Sequence, residues 1–248
     1  MVNLVALALV SGVLIGCVGI GGVLLVPCLT FLGVDVHEAI AASMFSFVFS
    51  GIVGVWLYSR AGSIDWISAN WLSGGAMPGA LAGAFIAARL GGAVLLALVG
   101  AAVLFAGVRS LRRGAGPYEG TRALRPPALL LIGLLVGAAS AITGSGGPLL
   151  LVPLLMWLRL PVLSAVGLGQ VIQIPIAGLA TIGNLLVGHL DLRLGAVLGI
   201  GVAIGTAGGA RIAHAAPVHL LTRLVALVLL AVGAFLLVRS GQSLAAVL

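Results

Sequence analysis

Apolar residues in this chain run in long unbroken stretches, with polar positions gathered between them. Roughly 20 apolar residues cross a bilayer as a helix, and that ruler places segments near 4–33, 37–58, 67–88, 92–108, 128–158, 161–187, 194–214 and 218–238. Lipid-facing strands would alternate apolar and polar residues, so continuous runs exclude an outer-membrane barrel. The pattern predicts an all-α integral membrane protein of about eight hydrophobic segments. One polar linker, 109–127, carries Arg109, Arg112, Arg113, Arg122 and Arg125 with Gly and Pro, and separates a unit at 1–108 from one at 128–248.

Segments 4–33 and 128–158 are too long for one straight span. Each contains a glycine cluster, Gly19-Ile20-Gly21-Gly22 and Gly144-Ser145-Gly146-Gly147, followed by Pro27 or Pro153. They read as broken helices or re-entrant hairpins. The clusters also begin an internal repeat. An offset of 125 sets Gly19, Gly21 and Gly22 on Gly144, Gly146 and Gly147. After one inserted residue, an offset of 126 pairs Val26-Pro27 with Val152-Pro153, Ala39 with Ala165, Gly62 with Gly188 and Asp65 with Asp191. It also pairs Gly79, Gly83 and Ala84 with Gly205, Gly209 and Ala210.

If the broken segments cross, the two copies are parallel; if they turn back, the copies are inverted. Basic residues concentrate on the cytoplasmic side. Crossing segments leave Arg89, Arg159, Arg211 and Arg223 opposite the linker, whereas hairpins leave only Arg89, Arg193 and Arg239 there. The linker is cytoplasmic either way, and the inverted repeat is slightly favoured.

Composition strengthens the membrane reading: 62% of residues are hydrophobic, 7% are charged and the mean hydropathy is +1.32. A water-soluble surface needs about a quarter charged residues. The net charge of +7 comes from Arg scattered over segment ends, with no stripe that would bind nucleic acid. Cys17 and Cys28 lie in apolar runs and read as packing residues. No Lys or Arg precedes Arg60, so the first run is expected to stay as a membrane segment, not to act as a cleaved signal. A multi-pass protein of a bacterial inner membrane is expected.

The stretches Gly19–Pro27, Glu38–Ser43, Gly62–Trp66 and Pro78–Gly83, echoed by Gly144–Gly147, Gly188–Asp191 and Gly205–Gly209, resemble the TauE/SafE family of membrane proteins over nearly the whole chain. The resemblance implies an inner-membrane carrier of sulfite, sulfonates or related small anions, in many cases an exporter. Gly169-Gln170 departs from the pattern, standing where a Thr-Ser counterpart of Ala42-Ser43 is expected.

A helix broken in mid-membrane exposes N–H groups at its new N-terminus, where partial positive charge gathers. Glycine lets an anion approach them. The candidate substrate-binding glycines are therefore Gly21, Gly22, Gly146 and Gly147, with close helix packing as the plainer account. Packing accounts better for Gly79, Gly83, Gly205 and Gly209. Ser43, Ser46, Gln170 and Gln173 fall in pairs on helix faces, and Thr143 and Ser145 border the second break; each offers donors to an anion or an ordinary interhelical bond. Asp65 and Asp191 are candidates for proton coupling, with helix N-capping as the alternative. His189 and His214 read as solvated or hydrogen-bonded, and no metal site, cofactor or nucleophile–base pair is expected.

The leading expectation is thus a secondary transporter of a small sulfur-containing anion, not an enzyme. No phosphate-binding loop is present and the chain has no Lys. An anion channel or a non-transporting assembly subunit are the alternatives. The expected partners are a small anion, the lipid bilayer and a second copy of the chain in a homodimer, with no nucleic acid.

Overall fold

The computed structural model describes residues 2–19, 21–91, 125–158 and 160–215, with scattered helical positions between 94 and 108 and between 227 and 238. The linker arginines Arg109, Arg112, Arg113 and Arg122, together with Arg159, Arg223 and Arg239, lie outside the described residues. So does most of the expected eighth segment.

Eight α-helices and no strand are found among the described residues: α1 (Val2–Val18), α2 (Leu25–Phe31), α3 (Val36–Arg60), α4 (Trp66–Ala87), α5 (Pro126–Thr143), α6 (Pro148–Trp157), α7 (Val162–Val187) and α8 (Leu192–Ala215). This is an α-helical membrane fold. Helices α3, α5, α7 and α8 are long and apolar enough to cross a bilayer. Helix α4 has the length, but Ser, Asn, Gly and Pro dilute its apolar character. Large side chains such as Ile52, Trp56, Leu135, Ile200 and Ile204 stand exposed on the outer faces, where lipid replaces water. Arg60 lies 4.2 Å over the Trp56 ring at the end of α3, as an interfacial anchor does.

Both expected breaks are present. Helix α1 ends at Gly19, whose N–H donates to Ile15 O at 2.8 Å and whose φ of +77° is left-handed. A 3₁₀ turn over Gly21–Leu24 then leads into α2. A side chain on Gly21 would strike Ser11 O and the Leu14 Cβ, so the chain has doubled back onto α1. In the second copy α5 ends at Gly144 (φ +66°), with the Ser145 N–H donating to Ser140 O at 3.1 Å. Pro148 opens α6 at a position where its missing N–H costs nothing.

Helix directions follow from the close approaches. Gly12 faces Gly205 and Gly16 faces Ala210, so α1 and α8 run parallel. Gly195 and Gly199 of α8 meet Phe45 and Phe49 of α3, again parallel. Gly51 and Gly54 of α3 meet Ile174 and Gln170 of α7, which is antiparallel. Gly75, Gly79 and Gly83 of α4 meet Leu130, Leu134 and Ala138 of α5, parallel to one another. With short turns joining α3 to α4 and α7 to α8, the helices α1, α3 and α8 run one way and α4, α5 and α7 the other. The copies are inverted, and the first segment of each is a hairpin-like broken element.

The two tightest pairs use matching positions. The carbonyls of Leu130, Leu134 and Ala138 press on Gly75, Gly79 and Gly83; those of Leu9 and Val13 press on Gly205 and Gly209. A Cβ at any of these glycines would overlap backbone atoms. Small residues let helices touch along their backbones where no hydrophobic effect drives them together.

Candidate functional site

The two breaks meet at the middle of α3. Phe47, the twelfth of that helix's 25 residues, is 1% exposed. A Cβ on Gly22 would lie 2.7 Å from one edge of its ring, and one on Gly146 would lie 2.6 Å from another. The same Cβ on Gly22 would stand 3.1 Å from Ser145 O. The ring therefore fills the gap between the glycine clusters of both copies. Around it the approaches are again reciprocal: Gly19 faces Val152 and Val166, and Gly144 faces Val26 and Ile40.

Backbone donors line this junction. Among the described residues, no backbone acceptor meets the N–H of Gly146 or Gly147, and these two glycines are buried, as are Gly21 and Gly22. At the second break the φ angles of Gly146 and Gly147, +79° and +106°, hold the backbone in a form that other residues resist. The first-turn N–H groups of Leu150 and Leu151 already reach Gly147 O, at 3.2 and 3.1 Å.

Side-chain hydroxyls are unequal at the two breaks: Ser11, its Oγ buried without a partner among the described residues, packs against Gly21 of the first, and more gather at the second. Ile40 and Phe47 mark the stripe of α3 that faces the breaks, and Ser43 falls between them on that stripe. Its Oγ is fully buried and has no hydrogen-bond partner among the described residues. At the end of α5 the Thr143 hydroxyl donates to Ala139 O (2.8 Å) and lies 3.0 Å from Ser145 Oγ. The matching positions around the first break are Val18, Ile20 and Gly169. The backbone is duplicated, but the hydroxyls are not.

The other expected residues serve the frame. Ser46 Oγ donates to Ser43 O at 2.7 Å within its own helix. Gln173 Nε2 donates to Phe47 O at 2.9 Å and contacts Ser50 Oγ, bonding α7 to α3 beside the junction. Gln170 Nε2 donates to Ile15 O at 3.1 Å, while its Oε1 is buried without a partner. The packing register differs by one residue from the pairing of Gly169-Gln170 with Ala42-Ser43. Since Val26 and Ile40 pair with Val152 and Val166 around Gly144 and Gly19, Gln173 stands opposite Phe47 and Gly169 opposite Ser43.

Asp65 and Asp191 are not brought to this junction. Both are exposed, at opposite ends of the bundle. Asp65 accepts from the Ile67 N–H at 3.1 Å and from Ser68 Oγ at 2.6 Å. Asp191 accepts from the N–H groups of Arg193 and Leu194 at 2.7 and 3.2 Å. Each is a helix N-cap. His214 bonds to Ala210 O at 2.7 Å and tilts against Tyr58. His189 is not merely solvated: it stacks on His37, ring centroids 5.0 Å apart, beside a cleft of ≈ 360 Å³ lined by Asp35, Glu38 and Gly188–Asp191.

Phe47 and His37 escaped sequence reasoning, Phe47 because an aromatic in an apolar run carries no polar signal. Its pairing with Gln173 in the repeat was the one available pointer.

A family model described as "Sulfite exporter TauE/SafE" matches residues 4–236. Neither a curated protein nor a solved structure gives a match. A match spanning nearly the whole chain, on a fold of inverted broken-helix repeats, establishes that the chain belongs to the TauE/SafE sulfite exporter family, a family of membrane transporters.

Proposed function

We propose that the chain is a secondary carrier of a small sulfur-containing oxyanion, sulfite or a simple sulfonate, across a bacterial inner membrane with its central linker cytoplasmic. The anion binds where the two breaks meet, held by the N–H groups of Gly21, Gly22, Gly146 and Gly147 and by the hydroxyls of Ser43, Thr143 and Ser145. The observation that carries this reading is the pairing of buried glycine N–H groups with an unpartnered Ser43 hydroxyl at the centre of the fold.

The energetics favour neutral donors. An isolated anion costs tens of kcal/mol in a dry apolar medium, and hydrogen bonds to a charged group return about 1.5–3 kcal/mol each. Several donors together offset much of that cost. A buried Arg would hold the anion more firmly, which hinders release; the described arginines, Arg60, Arg89, Arg125, Arg193 and Arg211, stand in or next to the last or first turn of a helix. The hydroxyls of the second break make the site one-sided, so α5–α6 carries the more polar half and α1–α2 the less polar half. Phe47 sits where the anion must pass and acts as the central plug. Inverted copies supply two exchangeable arrangements, one open to each side.

The test is uptake by purified protein in liposomes of sulfite, sulfate, acetate and a simple sulfonate. Saturable uptake of a sulfur anion with counterflow supports a carrier. Non-saturating flux without counterflow would make the protein a channel, and folded protein that moves none of these anions would remove the transport reading.

A further inference from the structure

The repeat relates the two ends of the α3–α7 pair, yet their chemistry differs. At one end stand Asp35, His37, Glu38, His189 and Asp191; the matching positions at the other are Pro161, Leu163, Ser164, Ser63 and Asp65. Of these matched positions, the ionisable side chains fall mainly where α3 begins and α7 ends.

The geometry there is specific to protons. His37 Nε2 is 3.2 Å from Leu90 O, an acceptor only, so this nitrogen carries the hydrogen. Its Nδ1 faces Asp35 Oδ1 at 3.4 Å, another acceptor. Neutral imidazole has a single N–H and leaves a lone pair against the carboxylate; imidazolium satisfies both contacts. His189 stacks on this ring with an interplanar angle of 27°, and it belongs to the other copy. One proton on the pair is therefore accommodated, held by Asp35. A second puts two like charges 5.0 Å apart across the joint between the copies.

We propose that His37 and His189 form a proton-binding latch between the two copies, closed with at most one proton bound and released when both rings are charged. The facing groups set its balance. From the turn before α3 comes Asp35, from α3 itself Glu38, and from the α7–α8 turn Asp191, all lining the cleft. Asp191 is already engaged as the α8 cap, and Asp35 also accepts from the His37 N–H at 2.8 Å. Among the described residues, the cation Arg89 adjoins Leu90 and Arg193 follows Asp191 by two residues.

The test reads conformation, not transport, and its failure leaves the anion site untouched. Spin labels are placed on Leu32→Cys and Val187→Cys, in a Cys17→Ser, Cys28→Ser background, on full-length protein in bilayers without added anion. The distance between them lengthens by about 5 Å, the scale of one helix turn, as the pH falls from about 8 to about 5. His37→Gln and His189→Gln, singly and together, abolish the lengthening, and His214→Gln at the opposite end leaves it intact. A distance independent of pH in the parent protein, or lengthening that persists in the double variant, overturns the proposal.

Discussion

At the scale of single residues, the junction separates groups that hold the fold from groups free to hold something else. Ser43 Oγ makes no bond among the described residues, so Ser43→Ala leaves thermal stability unchanged or slightly raised, because a buried unsatisfied hydroxyl costs energy. The same change weakens anion binding about tenfold, the loss of one charge-assisted bond. Titration of sulfite with parent and variant checks both halves of that expectation. Gln173 behaves in the opposite way. Its amide joins α7 to Phe47 O and Ser50, and Gln173→Leu removes this bond between helices while Ser50 Oγ still reaches the same carbonyl, costing about 1 kcal/mol of stability in a melting experiment.

Asp35 adds a pH dependence whose sign is fixed by its surroundings. Burial pushes its carboxyl up, but the His37 backbone N–H and imidazole and the Glu38 N–H outweigh that and leave it below the ordinary aspartate range. A carboxyl lowered on folding contributes stability above its unfolded pKa and loses it as the pH falls through the folded one. Asp35→Asn is therefore expected to lower stability at neutral pH and to flatten the acid limb, so that variant and parent converge as the pH falls below the ordinary aspartate range. Thermal melts across that range decide it.

At the scale of elements, the glycines divide by what a side chain would meet. On Gly79 and Gly205 a Cβ strikes backbone of the neighbouring helix, which cannot move aside. Gly79→Val and Gly205→Val each cost about 3 kcal/mol or more, since overpacking at a backbone contact has no flexible side chain to absorb it. Folded yield in detergent gives the readout. At the breaks the obstacle is conformational as well, with Gly146 and Gly147 left-handed.

Much of this was legible in the chain. A 30-residue apolar run interrupted by Gly-x-Gly-Gly cannot be one straight span, and the break appeared at Gly19 and Gly144 as that argument requires. The offsets of 125 and 126 recur as physical contacts between Gly79 and Leu134 and between Gly205 and Leu9. The capping geometry at Asp65 and Asp191 followed from their place before a helix. What the chain hid was register and partnership. Gln170 and Gln173 look alike in sequence, yet one reaches Ile15 O and the other Phe47 O. His37 and His189 stand 152 positions apart, and only the α3–α7 crossing brings them together.

At the scale of the whole molecule, inverted copies explain why one fold can present a central site to either side. The positive-inside count favoured that arrangement only slightly. Helix directions decide it, because α1 and α5 begin the two copies and run opposite ways. The departures from twofold symmetry carry the chemistry: hydroxyls at the second break, Phe47 opposite Gln173, and the stacked His37–His189 pair with its carboxylates at one end.

The measurement that tests the central claim most directly is exchange of labelled sulfite by purified protein in liposomes, comparing the parent with Ser43→Ala and Gly147→Leu. A carrier with its site at the junction exchanges sulfite saturably. Ser43→Ala raises the half-saturating concentration about tenfold without loss of folded protein, and Gly147→Leu abolishes exchange. If both variants, correctly folded, exchange sulfite as the parent does, the anion is bound elsewhere and the account of the broken helices as its site is wrong.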